Sequence, residues 1–123
     1  MNSFEIMIKA LRSLDSKLLL KGLSADITIL GSVAVYLNSL MSSGHTSDID
    51  YLGNEFGDDV KELIQEVAEE LNLELDWINN RANDIYPLPV GFEDRLQNLS
   101  GFKALKVKYL HREDLIMLKI YSF

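Results

Sequence analysis

The chain has 123 residues and a mass of 14.0 kDa, which predicts a single domain, residues 1–123, with one hydrophobic core. Its net charge of −7 argues against an extended nucleic-acid-binding surface, because phosphate contacts are made chiefly by Lys and Arg. The absence of cysteine excludes disulfides and thiolate metal sites. This absence fits a cytoplasmic protein. Neither a signal peptide nor an apolar run near the roughly 20 residues of a membrane span is visible.

Helical and strand periodicities alternate along the chain. Apolar residues recur at i, i+3 and i+4 in the helical segments, whereas short β-branched or alternating runs mark the strands. Asp59 and Glu62 have the spacing of a capping box. This order of elements predicts an α/β fold. The predicted elements are a helix over residues 3–21 ended by Gly22, a strand 27–30, a helix 33–40, a loop 42–47, an extended segment 48–50, a helix 58–71, strands 73–78 and 103–110, and a helix 113–123.

The segment 79–99 has no clear periodicity. Pro87 and Pro89 forbid a regular helix there, and Gly91 follows them. Long loops without secondary structure are often functional, so one interpretation is a loop that lies over the site.

Two carboxylates flank a single isoleucine in Asp48-Ile49-Asp50. In an extended chain residues i and i+2 point to the same face, so both carboxylates would share a small volume while Ile49 turns into the core. Like charges this close repel, and a cation between them relieves the repulsion. Carboxylate oxygens suit Mg2+, which completes its shell with water and substrate phosphate. The spacing therefore predicts a site for Mg2+ or Mn2+ at Asp48 and Asp50.

Gly31 and Ser32 lie between a predicted strand and the helix that follows it. Backbone N–H groups at such a helix start can bind phosphate, and Gly31 has no Cβ to obstruct a close approach. Ser32 adds a hydroxyl donor. The alternative is structural, with Gly31 as a turn residue and Ser32 as the helix N-cap. The carboxylates that follow favour the phosphate-binding interpretation.

Gly31-Ser32, a helix and then Thr46-Ser47-Asp48-Ile49-Asp50 together resemble the first motif of the nucleotidyltransferase superfamily, whose simplest members are small polymerase-beta-like proteins. With the later stretch 113–119, the chain looks most like AbiE-type toxins and related uncharacterised prokaryotic nucleotidyltransferases. The resemblance covers about residues 25–120. It implies the minimal nucleotidyltransferase fold, with a mixed central sheet and helices packed around it.

The resemblance also implies roles for single residues. Strand parity and the family pattern point to Asp76 as a third carboxylate, with Glu74 as the alternative on the same face. Lys119 matches a lysine that is common after Leu-Ile-x-Leu, although a solvated surface lysine fits it equally well. Thr46 matches as a hydroxyl that fixes the loop before Asp48. His45 departs from the family, which often has Arg there, and a structural role is expected for it.

The implied function is Mg2+-dependent transfer of a nucleoside monophosphate from an NTP to an unknown acceptor hydroxyl, with release of pyrophosphate. A toxin-antitoxin system, with an antitoxin as protein partner, is one setting. The alternative is a catalytically degenerate module that keeps the fold and binds a partner. A simple Mg2+ or Ca2+ module is less favoured, because the acidic loop of an EF-hand is absent. The catalytic and metal-binding residues would be Asp48, Asp50 and Asp76, and the nucleotide-binding residues Gly31, Ser32 and Lys119.

Overall fold

The computed structural model of the protein describes residues 2–39, 44–84 and 88–121, without the side chains of residues 83, 84 and 119–121. These residues form a mixed five-stranded sheet with helices packed around it, which confirms the α/β fold. None of the described helices is long and apolar enough to cross a membrane. The elements are β1 (Asn2–Ser3), α1 (Phe4–Lys21), β2 (Ala25–Leu30), α2 (Gly31–Leu37), β3 (His45–Thr46), β4 (Ile49–Leu52), α3 (Asp58–Leu71), β5 (Ile78–Asn79), two 3-10 helices (Arg81–Asp84 and Phe92–Arg95), β6 (Gln97–Asn98), β7 (Leu105–Tyr109) and α4 (Arg112–Tyr121).

Helix α1 begins and ends close to where the sequence predicts. Ser3 caps its N-terminus, and the Ser3 Oγ accepts a hydrogen bond from the Ile6 backbone N–H at 3.2 Å. Gly22 ends the helix in the left-handed conformation, with φ +67°, and its N–H donates to carbonyls of the last turn. The apolar stripe between these ends is buried in the core.

The five-stranded sheet has the order β5-β4-β2-β7-β6. Strand β2 lies at its centre, antiparallel to β4 and parallel to β7, and both edge strands are two residues long. Because paired residues point to the same side of a sheet, the register defines a core face and an opposite polar face. The core face carries Ile27, Ile29, Ile49, Tyr51, Ile78, Leu105 and Val107, and the polar face includes Asp26, Thr28, Asp50, Asn79, Lys106 and Lys108.

Helices α1 and α3 close the core. They contact each other, α1 also contacts β7, and their buried side chains belong to the same hydrophobic cluster as the core face of the sheet. The Trp77 indole is fully buried and donates to the Ile64 carbonyl at 3.0 Å, which ties the start of β5 to α3. The polar face is thereby left for the site.

The predicted strand 73–78 is wrong over most of its length. Only Ile78 and Asn79 pair with β4, in parallel. The preceding residues form a turn in which the Trp77 N–H donates to the Glu74 carbonyl at 3.1 Å, and Leu75 is 66% exposed. The alternating apolar residues 73, 75 and 77 therefore do not form one face of a strand. Trp77 is buried, but Leu75 lies in an exposed turn.

Other boundaries differ more modestly. Helix α2 spans Gly31–Leu37 rather than 33–40, and its N-cap is Leu30. Helix α3 has Gly57 as its N-cap, so the predicted capping box does not form. Asp59 instead lies in the first turn, where its Oδ1 accepts from the Val60 N–H at 2.9 Å. The other differences are a short β3 inside the predicted loop 42–47, of which 42 and 43 lie outside the described residues, a β7 of Leu105–Tyr109 instead of 103–110, and an α4 of Arg112–Tyr121 instead of 113–123, of which 122 and 123 lie outside the description.

Candidate active site

Asp48 and Asp50 stand at the start of β4 on the polar side of the sheet. Asp50 pairs with Leu30 of β2, and Ile49 between the two acids is fully buried, as the i, i+2 spacing predicts. Thr46 is buried beside them, and its Oγ1 donates to the Asp48 carbonyl at 3.0 Å and accepts from the Asp48 N–H at 3.5 Å. This pair of bonds closes the turn that leads into β4, so the predicted loop-fixing role of Thr46 is confirmed.

Gly31 lies directly against the Asp50 carboxylate. Its φ is +74°, in the left-handed region, and a Cβ added there would lie 2.6 Å from the Asp50 Oδ2. Both the backbone conformation and the space therefore require glycine. Ser32 follows in the first turn of α2 with an exposed side chain, and because the N-cap is Leu30, Ser32 is not the N-cap.

Burial and the neighbouring charge both act on Asp50. Its partial burial raises the pKa of its carboxyl group, the negative charge of Asp48 raises that pKa further, and the positive charge of Arg81 lowers it. The net pKa is raised. The positive charge of Arg81 therefore relieves only part of the repulsion between the Asp48 and Asp50 carboxylates.

Asn79, at the end of β5, and Arg81, at the start of the following 3-10 helix, place a polar and a positively charged group beside these acids. The Asp48 Oδ2 accepts hydrogen bonds from the Asn79 Nδ2 at 2.9 Å and from the Arg81 Nη2 at 3.1 Å. Asn79 also accepts from the Arg81 backbone N–H, through its Oδ1, at 3.2 Å. Asn79 pairs in register with Asp50, so it is placed by β5 beside both acids.

Asp76 joins this group through Arg81. Its Oδ2 accepts from the Arg81 Nη1 at 2.6 Å, so one guanidinium spans Asp48 and Asp76. The pair with Asp76 raises the pKa of Arg81, with further contributions from Asp48 and Asp50. Within the described residues, no three acid, His or Cys side chains are grouped closely enough to bind one metal ion together.

The remaining predicted site residues lie apart from this group. Glu74 is exposed, and its carboxylate makes no hydrogen bond within the described part of the chain. His45 is exposed on β3, which pairs with β1. The backbone of Lys119 belongs to α4, and its side chain lies outside the described residues.

A cavity of about 280 Å3 is lined by residues of β5 and α3, among them Ile78 and Ile64. Asp76 and Asn79 contribute to its lining, so they border both the cavity and the acid group. Tyr51 and Phe56 stack on each other at its inner wall, with ring centroids 5.0 Å apart. The cavity therefore adjoins the site at Asp76 and Asn79.

Sequence reasoning missed Asn79 and Arg81. Both fall at the start of the segment 79–99, which the Pro residues marked as irregular. A signal was present, because Asn79-Asn80-Arg81 directly follows the apolar pair Trp77-Ile78 and Asn commonly bonds the backbone two residues further on.

A family model matches residues 8–123, and its description is "Nucleotidyltransferase of unknown function (DUF6036)". The match covers nearly the whole chain and includes every acid and glycine of the site described above. The chain therefore belongs to this nucleotidyltransferase family. No curated protein and no solved structure matches it.

Proposed function

We propose that the protein transfers a nucleoside monophosphate from an NTP to an acceptor hydroxyl, with Mg2+ or Mn2+ as cofactor. The observation that carries the proposal is the pair Asp48 and Asp50 on the polar side of β4, packed against a glycine that no other residue could replace without a clash. Membership of a nucleotidyltransferase family supports the reaction class.

The residues present fit a divalent cation. Asp48 and Asp50 offer hard oxygen donors, and the raised pKa of Asp50, caused by burial and by Asp48, reports a repulsion that a cation would relieve. A positive group, the Arg81 guanidinium, already bonds one of these acids. When bound, the metal would neutralise charge on the triphosphate and polarise its α-phosphorus.

The protein's own residues then position the nucleotide. In the proposal, the backbone at Gly31 admits a phosphate close to Asp50 because no Cβ intervenes, and the exposed Ser32 hydroxyl donates to a phosphate oxygen. This role does not depend on a helix dipole, since α2 has only seven residues. Lys119 is proposed as a further phosphate contact on the strength of the family resemblance alone.

Asp76 is proposed to act on the acceptor. The acceptor oxygen attacks the α-phosphorus, the bond from that phosphorus to the bridging oxygen breaks, and pyrophosphate leaves. The proton of the attacking hydroxyl passes to the Asp76 carboxylate, which is 54% exposed at the rim of the cavity. A small acceptor can reach that carboxylate through the cavity.

The biological setting follows the same resemblance. AbiE-type likeness extends the proposal to a toxin-antitoxin role with an antitoxin as protein partner. A cytoplasmic location would supply the NTP.

The experiment is incubation of the protein with each of the four NTPs, labelled at the α-phosphate, and Mg2+ or Mn2+. We expect pyrophosphate release or transfer of the label, including onto the protein itself, and loss of both in Asp48→Asn and Asp50→Asn. Asp26→Asn is the matched control, because Asp26 is an exposed acid on the same polar face and should leave turnover unchanged. Equal turnover in all four proteins would disprove the assignment.

A second candidate is the catalytically degenerate, partner-binding module. One observation favours it: the guanidinium of Arg81 spans Asp48 and Asp76, and a permanent ion pair there would replace the metal. Failure of the wild type to bind Mn2+ or to release pyrophosphate from any NTP would select this alternative.

A further inference from the structure

Arg81 is a cation that lies among all three proposed catalytic carboxylates. It bonds Asp48 at 3.1 Å and Asp76 at 2.6 Å, and Asp50 is close enough to attract it electrostatically. Neither the sequence pattern nor the family description assigns it a role. Its guanidinium therefore supplies the positive charge beside Asp48 that a divalent cation would otherwise supply.

The backbone of Arg81 is fixed, whereas its side chain is held weakly. The Arg81 N–H bonds the Asn79 side chain, which fixes where the residue starts. The Arg81 side chain itself is 62% exposed. Ion pairs this exposed hold their partners together only weakly, because water solvates both charges well. The guanidinium can therefore leave the acids without disturbing the fold.

We infer that Arg81 is an exchangeable counter-cation: it neutralises Asp48 and Asp76 in the nucleotide-free protein, yields Asp48 to the divalent cation, and then pairs with the nucleotide phosphates. The inference rests on the proposed function and assigns a residue to binding of that same substrate. It reconciles the proposed metal-binding role of Asp48 and Asp50 with the observed hydrogen bond from Arg81 to Asp48.

The exchange follows from charge and geometry. Asp48 Oδ2 already accepts from both Asn79 and Arg81, so a metal ligand bond to that oxygen displaces a donor, and the cationic donor is the one that a divalent ion repels. A guanidinium released beside a triphosphate finds a better partner, since its planar fork matches phosphate oxygens. The nucleotide phosphates thus replace the Asp48 carboxylate as the negatively charged partner of Arg81.

The test compares Arg81→Gln with the wild type in two binding measurements that do not depend on turnover. Calorimetry with Mn2+ alone should show tighter binding to Arg81→Gln, on the order of five-fold, because the competing cation is gone. Calorimetry with ATP in saturating Mg2+ should show weaker binding, on the order of ten-fold, because a charged phosphate contact is lost. Arg81→Lys should fall between the two proteins.

Arg12→Gln is the matched control. It removes the same charge from an exposed arginine on α1, whose buried face packs in the core on the opposite side of the sheet from the acids, and it should change neither affinity. Opposite signs for Mn2+ and ATP in Arg81→Gln support the inference, because a purely structural arginine would lower both affinities or neither.

Two results overturn the inference. If Arg81→Gln binds Mn2+ and ATP as the wild type does, while Asp48→Asn loses Mn2+, the proposed function stands and Arg81 has no part in it. If no variant binds Mn2+, the proposed function fails and the inference fails with it.

Discussion

At the scale of single residues, Asp15 shows how the fold uses a buried acid outside the site. It lies in the middle of α1, where its carboxylate accepts hydrogen bonds from the backbone N–H groups of Lys103, Ala104 and Leu105, the last two at 2.7 Å. Burial raises the pKa of Asp15, but the hydrogen bonds from the three N–H donors together lower it by more. The net pKa is therefore lowered. One side chain therefore fixes the entry to β7 against α1.

Replacing Asp15 by Asn should destabilise the protein by about 1–3 kcal/mol, because an amide cannot accept these bonds as a charged carboxylate does. Urea unfolding followed by circular dichroism measures the loss. Asp26→Asn, at an exposed acid on β2, should stay within about 0.5 kcal/mol of the wild type. Equal stability of the two variants would show that the three bonds contribute nothing net.

The same acid predicts a pH dependence. A group whose pKa is lower in the folded state stabilises the fold above its unfolded pKa, about 3.9 for Asp, and loses that contribution as the pH falls through the folded pKa. The difference in unfolding free energy between the wild type and Asp15→Asn should therefore be constant near neutral pH and shrink below about pH 4. A difference that grows on acidification would contradict this assignment.

Replacing Gly31 by Ala should have two separate effects, one on stability through backbone strain and one on Mn2+ binding through Asp50. Gly31→Ala should cost about 1–2 kcal/mol of stability, because φ is +74° there, and should also push the Asp50 carboxylate aside. We expect Mn2+ affinity to fall by an order of magnitude or more, measured by calorimetry, because Asp50, a proposed metal ligand, would move.

Gly22→Ala is the control for Gly31→Ala. Gly22 has a similar φ of +67° but nothing within 4 Å of an added Cβ, so it should show the strain alone and bind Mn2+ normally. If both variants bind Mn2+ as the wild type does, the approach of Gly31 to Asp50 has no role in the site.

At the scale of elements, Arg95 fastens the irregular segment 88–96 to α4. Its Nε and Nη2 bond the Asp114 carboxylate at 2.7–3.1 Å, and its Nη2 also donates to the Val90 carbonyl at 3.0 Å. The Asp114 side chain is only 3% exposed, whereas the Asp48 and Asp76 side chains bonded to Arg81 are 23% and 54% exposed. The two arginines thus make similar bonds in very different surroundings.

Arg95→Met should therefore destabilise the protein clearly, because it leaves the buried Asp114 carboxylate unpaired. Arg81→Met should destabilise the protein much less, because the Arg81 side chain is largely exposed and water solvates its charge. Thermal unfolding of both variants under identical conditions measures the contrast. Similar losses for the two would show that the burial of Asp114 does not set the strength of its pair.

Most elements could be predicted because their residues repeat with a clear period. The helical stripe of α1 and that of α3 extend over several turns, and β2 is a β-branched run bounded by glycine. The strand predicted over 73–78 was wrong because the alternation of Leu73, Leu75 and Trp77 is compatible with a turn as well as with a strand. A period of two over six residues does not reveal that the chain reverses at Leu75 before Trp77 enters the core.

The acids of the site could be predicted in part, for the same reason. The i, i+2 spacing places Asp48 and Asp50 on one side of a strand without any knowledge of the tertiary structure. The partners of these acids come from elsewhere in the chain, and the register of β5 against β4 brings Asn79 beside Asp50. The same register brings Arg81, two residues after Asn79, close to Asp48. A single sequence does not reveal which strands pair or in which register.

At the scale of the whole molecule, the net charge of −7 predicts that added salt affects the binding of Mn2+ and the association of nucleotide in opposite directions. Mn2+ is attracted by the overall field and by the acids, so added KCl should weaken its binding. Nucleotide carries negative charge even with Mg2+, so screening should speed its association or leave it unchanged. Calorimetry for Mn2+ and stopped-flow fluorescence for a labelled ATP, both from 20 to 200 mM KCl, measure these trends. An ATP association rate that falls steeply with salt would indicate a locally positive entrance instead.

The central position of β2 also determines when the protein can complete its fold during synthesis. One edge of β2 pairs with β4, which follows it within about 20 residues, but the other edge pairs with residues 105–109 of β7. Until that strand leaves the ribosome, β2 has a row of unpaired backbone N–H and C=O groups next to an incomplete core, a surface that other nascent chains can bind. Parallel pairing across so long a separation is slow as well. Chaperone demand should therefore be highest while the ribosome is translating the segment between α3 and β7.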